Sequence, residues 1–467
     1  MTSIHCELII LSHNKDALVE NVRFILEECL RLQDVILQEG LRDLPQQDVL
    51  FTLPHPSRTG TMLCGRAAAD KVTELAEEAA KRGQISNRIE QKSLRKEISE
   101  LLVTRFMKEQ RSIDTKQIDR LLSTAIKTVK KQCVTLIHFI PCHLMSAKDP
   151  ERLIIGPVTF HNRASFRTLL LRTARKRVES SDERTRKYTR KLLARAIRYY
   201  RNFQWMAEVE IANCDAVNSA RIAEEAVTAA LDCLHMLLGA RWTGRMCIGG
   251  ANIRSDLKAK IVRTSVGELE PSVSNGGFGE ITFADGWSTT FIDADFERFQ
   301  SLFSVALEAV VCPDLERPLS RRFLDAAQWF GEACREKSPA TRTVKFVTAL
   351  ERMLMTEERD DITSLVSERV AALCFDLNTT RAEWTEKAKA AYDLRSRLVH
   401  GSISPRAPEV KKGADIAAEV AEAALMRAIA AFGVDGLQSE RVTTKKLAAW
   451  FRHLGKWADA NETGKTY

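Results

Sequence analysis

The chain has few of the residues that mark membrane, disulfide-stabilised or zinc-ribbon proteins. Its 467 residues include only 21 glycines and 12 prolines. No apolar run approaches the ~18 residues that a membrane-spanning helix needs. The eleven cysteines are odd in number and form no Cys-x-x-Cys pair, which argues against a disulfide framework and a zinc ribbon. We therefore expect reduced, mostly buried thiols and no membrane span.

The beginning of the chain does not resemble a secretory signal. No basic region precedes its short apolar stretch, and Glu7 interrupts that stretch. We therefore expect a cytoplasmic protein. With 45% hydrophobic and 28% charged residues, the chain falls in the soluble globular class. Its abundant Ala, Leu, Glu, Arg and Lys favour helices, so we predict a mostly α fold in two to four domains.

Hydrophobic spacing predicts an N-terminal helical region over residues 1–132. Apolar residues recur every three or four positions, as on the buried face of an amphipathic helix. The predicted helices are Leu18–Gln38, Ala67–Ala80, Asn87–Lys108 and Thr115–Lys131.

The pattern changes over residues 133–312 to that of an α+β middle domain. β-branched apolar segments with prolines around them indicate strands, and a strong helix is predicted at Ala216–Leu238. The glycine-rich Asn275–Gly279 is predicted to be a hairpin turn and not a phosphate-binding loop, because no helix follows it. The predicted strands are Val134–Phe139, Leu153–Phe160, Met206–Ile211, Ile253–Val266 and Glu280–Ile292.

Residues 318–467 are predicted to form a separate helical domain after Pro313 and Pro318. Glycines after two of its helices mark helix ends. The predicted helices are near 319–337, 341–356, 361–376, 380–400, 410–432 and 443–456, following one at Phe296–Val311.

Positive charge is concentrated in the segment 161–201. This segment has 14 basic and three acidic residues, a surplus of 11 in a chain whose net charge is +8. Such a surplus is typical of a surface that binds nucleic acid, and the candidate RNA-binding residues are Arg184, Arg186, Lys187 and Arg190.

Aromatic residues alternate with these cations, and they leave two interpretations open. They could stack on the bases of single-stranded nucleic acid, or they could face the core of a solvated helix pair. The aromatic residues are Phe166, Tyr188, Tyr199, Tyr200, Phe203 and Trp205.

A metal site is not expected. Cys133, His138, Cys142 and His143 include the residue types that bind zinc, but strand alternation would hold the first two apart. Buried thiols and hydrogen-bonded imidazoles are the better interpretation. We expect no metal and no other cofactor.

The most informative segment ends the predicted helix 380–400. Thr380-x-x-Glu383 predicts a capping box at its start, and Gly401 predicts its end. Arg395 falls within the apolar stripe of this helix, where a cation needs either an internal carboxylate or an anionic ligand. His400 lies on the last turn, where the helix dipole stabilises imidazolium.

The neighbouring charges of this helix have a simpler interpretation. Asp393 and Arg397 are four residues apart on the opposite face, which predicts a surface ion pair.

The sequence LRSRLVHG at the end of this helix resembles the Apea-like group of the HEPN domain family. The family's mark is Arg-x4-6-His, matched here by Arg395 and His400, and the resemblance covers residues 320–432. Ser396 stands where the wider superfamily has Asn, Asp or His. The resemblance implies a C-terminal HEPN helical bundle that forms a homodimer, in which Glu351 orients Arg395.

The same resemblance implies a metal-independent endoribonuclease of antiphage defence or abortive infection, with a trigger that the sequence does not identify. His400 would be the acid or base in an attack by an RNA 2′-hydroxyl on its own 3′-phosphate, and Arg395 would stabilise the phosphate. The alternative is a non-catalytic nucleic-acid-binding sensor or scaffold that uses its HEPN domain only to dimerise.

Overall fold

The computed structural model describes residues 2–39, 51–57, 59–144, 149–179, 182–249, 255–263, 269–277, 294–356, 361–376 and 379–462. These residues form fifteen α-helices and nine β-strands, so the predicted mostly helical class is confirmed. The chain divides into two compact units. The first is Met1–Leu136 with Ala212–Arg221, and the second is Ile137–Ile211 with Ile222–Tyr467.

The first unit is built from helices around one apolar core, which includes Val22, Leu75, Ile98 and Leu121. Three of the helices lie within a few residues of their predicted positions, but the first begins at Thr2, sixteen residues before the predicted start at Leu18. The four helices are α1 (Thr2–Glu39), α2 (Arg66–Gly83), α3 (Gln91–Leu102) and α4 (Thr115–Lys130).

Two features of the first unit depart from the all-helical prediction. An antiparallel pair, β1 (Phe51–Pro54) with β2 (Thr61–Cys64), lies between α1 and α2. Its strands have four residues each, too short for alternation to be distinguished from chance. The second feature is a π-helix at Val103–Lys108, which extends α3.

Five strands, which belong mostly to the second unit, form one sheet. Their order across the sheet is β4 (Arg152–Ile155), β5 (Val158–Asn162), β6 (Trp205–Cys214), β3 (Val134–His143) and β7 (Cys247–Ile248). The prediction of one strand over Leu153–Phe160 is wrong, because the segment folds into the antiparallel strands β4 and β5. Gly156 and Pro157 form the two-residue loop between them, and Gly156 has a φ of +58° that favours glycine.

A separate antiparallel pair follows, β8 (Ser255–Arg263) with β9 (Leu269–Gly277). The hairpin turn predicted at Asn275–Gly279 is wrong for its first three residues, because they end β9 and pair with 255–257. The strand predicted at Glu280–Ile292 lies outside the described residues.

The helices predicted between residues 216 and 400 agree with the observed ones to within a few residues, whereas those predicted at 410–432 and 443–456 each end six residues later in the structure. A short helix at 240–243 was not predicted. The helix that contains Arg395 packs against the helices 339–354, 362–374 and 408–438. None of the helices in the described ranges is long and apolar enough to cross a bilayer. The helices are α5 (Arg163–Glu179), α6 (Glu183–Tyr200), α7 (Ala216–Leu238), α8 (Ala240–Thr243), α9 (Ala294–Val311), α10 (Pro318–Arg335), α11 (Pro339–Leu354), α12 (Ile362–Cys374), α13 (Arg381–Val399), α14 (Pro408–Gln438) and α15 (Thr444–Glu462).

Candidate functional site

Both ends of α13 are defined by hydrogen bonds that the sequence predicts. At its start, Thr380 and Glu383 form the predicted capping box. At its end, Gly401 adopts a φ of +72°, and the amides of Gly401 and Ser402 donate to the carbonyls of Leu398 and Arg397. This is a Schellman motif, which satisfies the last carbonyls and fixes the direction in which the chain leaves the helix.

A close approach to α14 sets the position of α13. Leu394 of α13 is buried against Val410 and Ala340. A Cβ atom at Gly413 of α14 would lie 2.1 Å from Leu394 Cδ2, so any side chain there would require the buried Leu394 side chain to move. The two helices therefore approach at a position without a side chain.

The structure brings Arg395 and Glu351 together. Arg395 Nη2 lies 3.8 Å from Glu351 Oε1 of α11, which is within ion-pair range but longer than a hydrogen bond. Arg395 Nε is buried and has no hydrogen-bond partner among the described residues. About a third of the side chain, 32%, remains exposed. Arg395 is thus a cation whose hydrogen-bonding capacity is only partly used.

Glu351 lies in a partly apolar environment beside Tyr392. Burial raises the pKa of Glu351 above its usual value, and the Arg395 charge opposes this shift. Burial and the nearby Glu351 carboxylate also raise the pKa of Tyr392. Tyr392 Oη is buried near Glu351 without a hydrogen bond of normal geometry in the described chain. Arg395, Glu351 and Tyr392 therefore form a loose polar group between α11 and α13.

His400 and Ser396 lie on the exposed side of the same helix end. His400 is the residue that caps α13, and its backbone amide donates to the Ser396 carbonyl at 2.9 Å. Both side chains are exposed. Among the described residues, no side-chain hydrogen bond joins either of them to Arg395 or Glu351. One copy of α13 brings Arg395 and Glu351 together but leaves His400 separate.

The apolar stripe predicted around Arg395 is correct only in part. Ala388 and Ala391 are buried, and Leu398 is half-buried. Val399, on the final turn of α13, is 54% exposed. An apolar side chain is therefore exposed next to His400.

The predicted surface ion pair is confirmed. Arg397 Nη1 lies 3.5 Å from Asp393 Oδ2, and Arg397 Nη2 donates to Glu409 Oε1 at 2.8 Å. Two carboxylates therefore hold Arg397, in contrast to Arg395.

Arg369 of α12 shows how a structural arginine is held in the same bundle. Its guanidinium donates to the Leu354 carbonyl and, at 3.1 Å, to Thr356 Oγ1. It also lies over the Phe451 ring, 4.5 Å from the centroid. Sequence analysis did not identify this residue, since its partners come from other helices. Arg369 has partners on several sides, whereas Arg395 has one distant carboxylate.

The basic segment folds into the helices α5 and α6, which contact each other. Helix α6 has no buried residue, and Asp182 caps its start by accepting from the Thr185 amide. Tyr188 is 65% exposed. The four candidate RNA-binding residues, Arg184, Arg186, Lys187 and Arg190, are all exposed.

Phe166, Tyr199, Tyr200 and Phe203 pack together in one small cluster. Phe166, Phe203 and Trp205 are buried, and Tyr200 Oη donates to the Phe139 carbonyl at 3.0 Å. The interpretation in which these aromatics stack on bases is wrong for the three buried residues, because their faces are used in the protein core. Tyr188 is the exposed aromatic residue of α6.

The structure also contains a group of charged and titratable side chains between α7 and α10 that the sequence did not indicate. Arg335 Nη1 of α10 lies 2.8 Å from Asp232 Oδ1 and 3.1 Å from His235 Nε2, both on α7. His235 Nε2 also lies 3.2 Å from the Met246 carbonyl oxygen, and its Nδ1 has no partner among the described residues. The two helices are a hundred residues apart in sequence, so no local pattern could identify the group.

No set of three or more potential metal ligands is assembled within the described residues. Cys142 is fully buried in β3, and burial raises its pKa, so the thiol form is favoured. His143 packs its ring at 5.3 Å from the Phe203 ring. Cys142 and His143 therefore have roles in packing.

Comparison with known proteins adds no relative to this description. No protein-family model, curated protein or solved structure matches the chain.

Proposed function

We propose that the protein is a metal-independent endoribonuclease of the HEPN type, with its active site at the C-terminal end of α13. The main support for the proposal is the exposure and incomplete hydrogen bonding of Arg395. Its guanidinium is partly exposed, has a 3.8 Å contact with Glu351, and its Nε has no partner in the described structure. A cation with unused donors at a solvent-accessible helix end suits an anionic ligand such as a phosphate.

The proposed reaction is an internal transesterification of RNA. A base removes the proton from a 2′-hydroxyl, and the oxygen attacks the adjacent phosphorus. The bond to the 5′-oxygen of the next nucleotide breaks, and an acid donates a proton to that oxygen, which leaves as a 5′-hydroxyl. His400 acts as the acid or base, worth roughly 10²–10⁴-fold in rate. Arg395 stabilises the charge on the phosphate oxygens, and Glu351 orients Arg395. Ser396 is exposed one residue further on and supports phosphate binding through its hydroxyl.

The proposed site is composite and uses two copies of the chain. Arg395 and His400 are five residues apart, which places them ~140° apart around a helix, so one α13 presents them poorly to one phosphate. A two-fold axis near the end of α13 would place two copies of each residue around one cleft. The exposed Val399 beside His400 offers an apolar contact for such an interface.

The test is cleavage of a defined RNA by the purified chain in EDTA. The expected products carry 2′,3′-cyclic phosphate ends, which require attack by the 2′-hydroxyl. His400→Ala and Arg395→Ala are expected to abolish cleavage while leaving the folded state intact, because neither side chain is in the core.

Two other residues provide matched controls. His453 is exposed on α15, and Arg397 is held by surface carboxylates on α13 itself. His453→Ala and Arg397→Ala should retain cleavage near that of the unmodified chain. Full cleavage by a folded His400→Ala sample would contradict the proposal.

A second candidate function is a non-catalytic nucleic-acid sensor or scaffold that dimerises through its C-terminal helices. The exposed cations of α5 and α6 favour it, since they could bind RNA without any chemistry. RNA binding with no cleavage in the same assay would select this function.

A further inference from the structure

A basic groove lies on the first unit, between the π-helix and α4. It is open to solvent and has a volume of about 900 Å³. Five cations line it, and most of the remaining wall consists of serine and threonine hydroxyls. The cations are Arg105, Arg111, Lys116, Arg120 and Lys127. None of them belongs to the sites described above.

The packing of α4 directs one row of these cations toward solvent. Lys116, Arg120, Ser123 and Lys127 recur at intervals of four, three and four residues, so they share one face of the helix. The opposite face is buried in the core of the unit. Eleven residues separate the ends of this row, which corresponds to ~16 Å along the helix axis.

The other wall of the groove is held by an unusual backbone. Gln110 has a φ of +49°, and the turn it makes allows the Arg111 amide to donate to the Arg105 carbonyl at 3.1 Å. Arg105 Nη2 donates across the groove to Thr124 Oγ1 of α4 at 2.8 Å. The Arg105 side chain thus connects the π-helix to α4, and both Arg105 and Arg111 lie at the groove.

The positive charge of the groove is only partly neutralised within the protein. Its one acidic residue, Asp119, lies 2.6 Å from Arg82 on α2, and Arg111 lies 2.6 Å from Glu109. In the described part of the chain, Lys116, Arg120 and Lys127 have no carboxylate within 4.0 Å of their charged nitrogens. The row on α4 therefore carries charge that an external anion can neutralise.

We propose that this groove binds the phosphodiester backbone of a nucleic-acid strand. An open groove with a row of cations ~16 Å long suits successive phosphates of a passing strand better than one compact anion. The hydroxyls of Ser123 and Thr124 add neutral donors to phosphate oxygens. No aromatic side chain lines the described groove, so its contacts are with the backbone and carry no base preference.

The test reverses the row in the full chain with Lys116→Glu, Arg120→Glu and Lys127→Glu. Binding is measured by fluorescence anisotropy with a labelled single-stranded 2′-O-methyl oligonucleotide. This probe cannot undergo attack by a 2′-hydroxyl, so the result is independent of the proposed ribonuclease activity. Loss of three contacts should weaken binding about tenfold or more near 0.1 M salt. The salt slope, which is the steepness with which the logarithm of the binding constant falls with the logarithm of the salt concentration, should decrease by ~2, at ~0.7 per contact.

The matched control reverses three exposed lysines elsewhere on the first unit. Lys81, Lys92 and Lys96 lie on α2 and α3, and their reversal changes the net charge by the same amount. The control should leave the salt slope nearly unchanged. Equal affinity and slope for the two triple variants would overturn the proposal.

A second variant and a competitor complete the test. Neutral Gln at Lys116, Arg120 and Lys127 should produce an intermediate loss of affinity for the oligonucleotide. If circular dichroism shows that the Glu variant does not fold, the Gln variant provides the test. Inorganic tripolyphosphate should displace the oligonucleotide only at a large excess of phosphate. Displacement at equal phosphate concentration would identify a site for a small anion and overturn the assignment to a strand.

Discussion

At the residue scale, the arginines of the C-terminal helices differ in how completely their donors are used. Arg397 is held by two carboxylates, and Arg369 by a carbonyl, a hydroxyl and an aromatic ring. Arg395 has a single ion pair at 3.8 Å and a buried Nε without a partner in the described chain. A buried donor left without an acceptor costs about 1–3 kcal/mol, so its retention suits a ligand-binding role.

We predict that Arg395→Lys fails to restore cleavage. Lysine keeps the charge but lacks the planar fork that can hold two phosphate oxygens, and we expect a loss of about 10²-fold or more in rate at saturating RNA. The matched variant Arg397→Lys should cleave normally, because an exposed ion pair contributes only about 0–1 kcal/mol. Initial rates and melting temperatures should be measured together, and a rate for Arg395→Lys equal to that of the unmodified chain would refute a bidentate role.

A second prediction at this scale concerns pH and the buried His235. Burial, with Arg335 nearby, lowers the pKa of His235 to about 3 from an ordinary 6.5. Between pH 3 and pH 6.5, the unfolded chain therefore binds more protons at His235 than the folded chain does. The stabilisation from neutral His235 is therefore present above pH 6.5 and declines as pH falls, by up to ~1.4 kcal/mol per pH unit.

Asp232 contributes with the opposite sign. Burial raises its pKa to about 7 against an ordinary 3.8, so its contribution declines as pH rises through this range. Comparing His235→Gln with the unmodified chain isolates the histidine. As pH falls from 6.5 to about 4, the free energy of unfolding measured in urea should decrease more for the unmodified chain than for His235→Gln. Parallel curves for His235→Gln and the unmodified chain would contradict the prediction.

At the element scale, α13 is positioned mainly by its contact with α14. Leu394 packs where Gly413 has no side chain, and apolar neighbours including Leu398 and Val410 surround this contact. The helix ends are fixed locally by the capping box and the Schellman motif. The geometry around Arg395 therefore depends on a helix–helix contact and on two caps.

We predict that Gly413→Ala destabilises the protein. Its Cβ would meet Leu394 Cδ2 at 2.1 Å, and overpacking of this kind costs about 1–3 kcal/mol. Gly455→Ala on α15 is the control, because nothing lies within 4 Å of the added Cβ. There, replacing a helical glycine should stabilise the chain by about 0.5–1 kcal/mol. Chemical denaturation distinguishes the two, and equal effects of the same sign would show that the helix–helix contact is unimportant.

The pair α5 and α6 has little core of its own. We predict that reversal of Arg184, Arg186, Lys187 and Arg190 to Glu leaves the melting temperature nearly unchanged, since all four side chains are exposed. RNA binding should weaken and its salt slope should fall by ~0.7 for each lost phosphate contact, while cleavage at saturating RNA persists.

The control for this variant makes the same change in charge on the first unit. It reverses the exposed residues Arg66, Lys81, Lys92 and Lys96. If the two quadruple variants bind RNA with equal affinity and salt slope, the cations of α6 form only a solvated helix face.

At the scale of the whole molecule, the proposed chemistry requires a homodimer. Ideal helix geometry places Arg395 and His400 ~140° apart around α13, so the proposed site needs two copies of the end of this helix. We predict a dimer in solution by light scattering and its weakening by Val399→Glu, which places a charge at an exposed apolar position in the proposed interface. The exposed Val217→Glu on α7 is the control. A strict monomer that retains cleavage would contradict the composite site.

The sequence by itself determined most of the helices, the caps of α13 and the surface pair of Asp393 with Arg397. These features depend on residues within one or two turns of each other, so local spacing contains the information. The hairpin at Gly156 depends on a positive φ, and the pair β1 and β2 is too short to produce a clear pattern.

Only the tertiary structure decided which side chains meet across elements. It placed Glu351 beside Arg395, which the sequence indicated through family resemblance alone, and it buried Phe203. It also joined Asp232 and His235 to Arg335, which is a hundred residues away from His235 along the chain. Periodicity indicates which face of a helix is buried but not which residue lies opposite, because the opposite residue is chosen by packing over the whole chain.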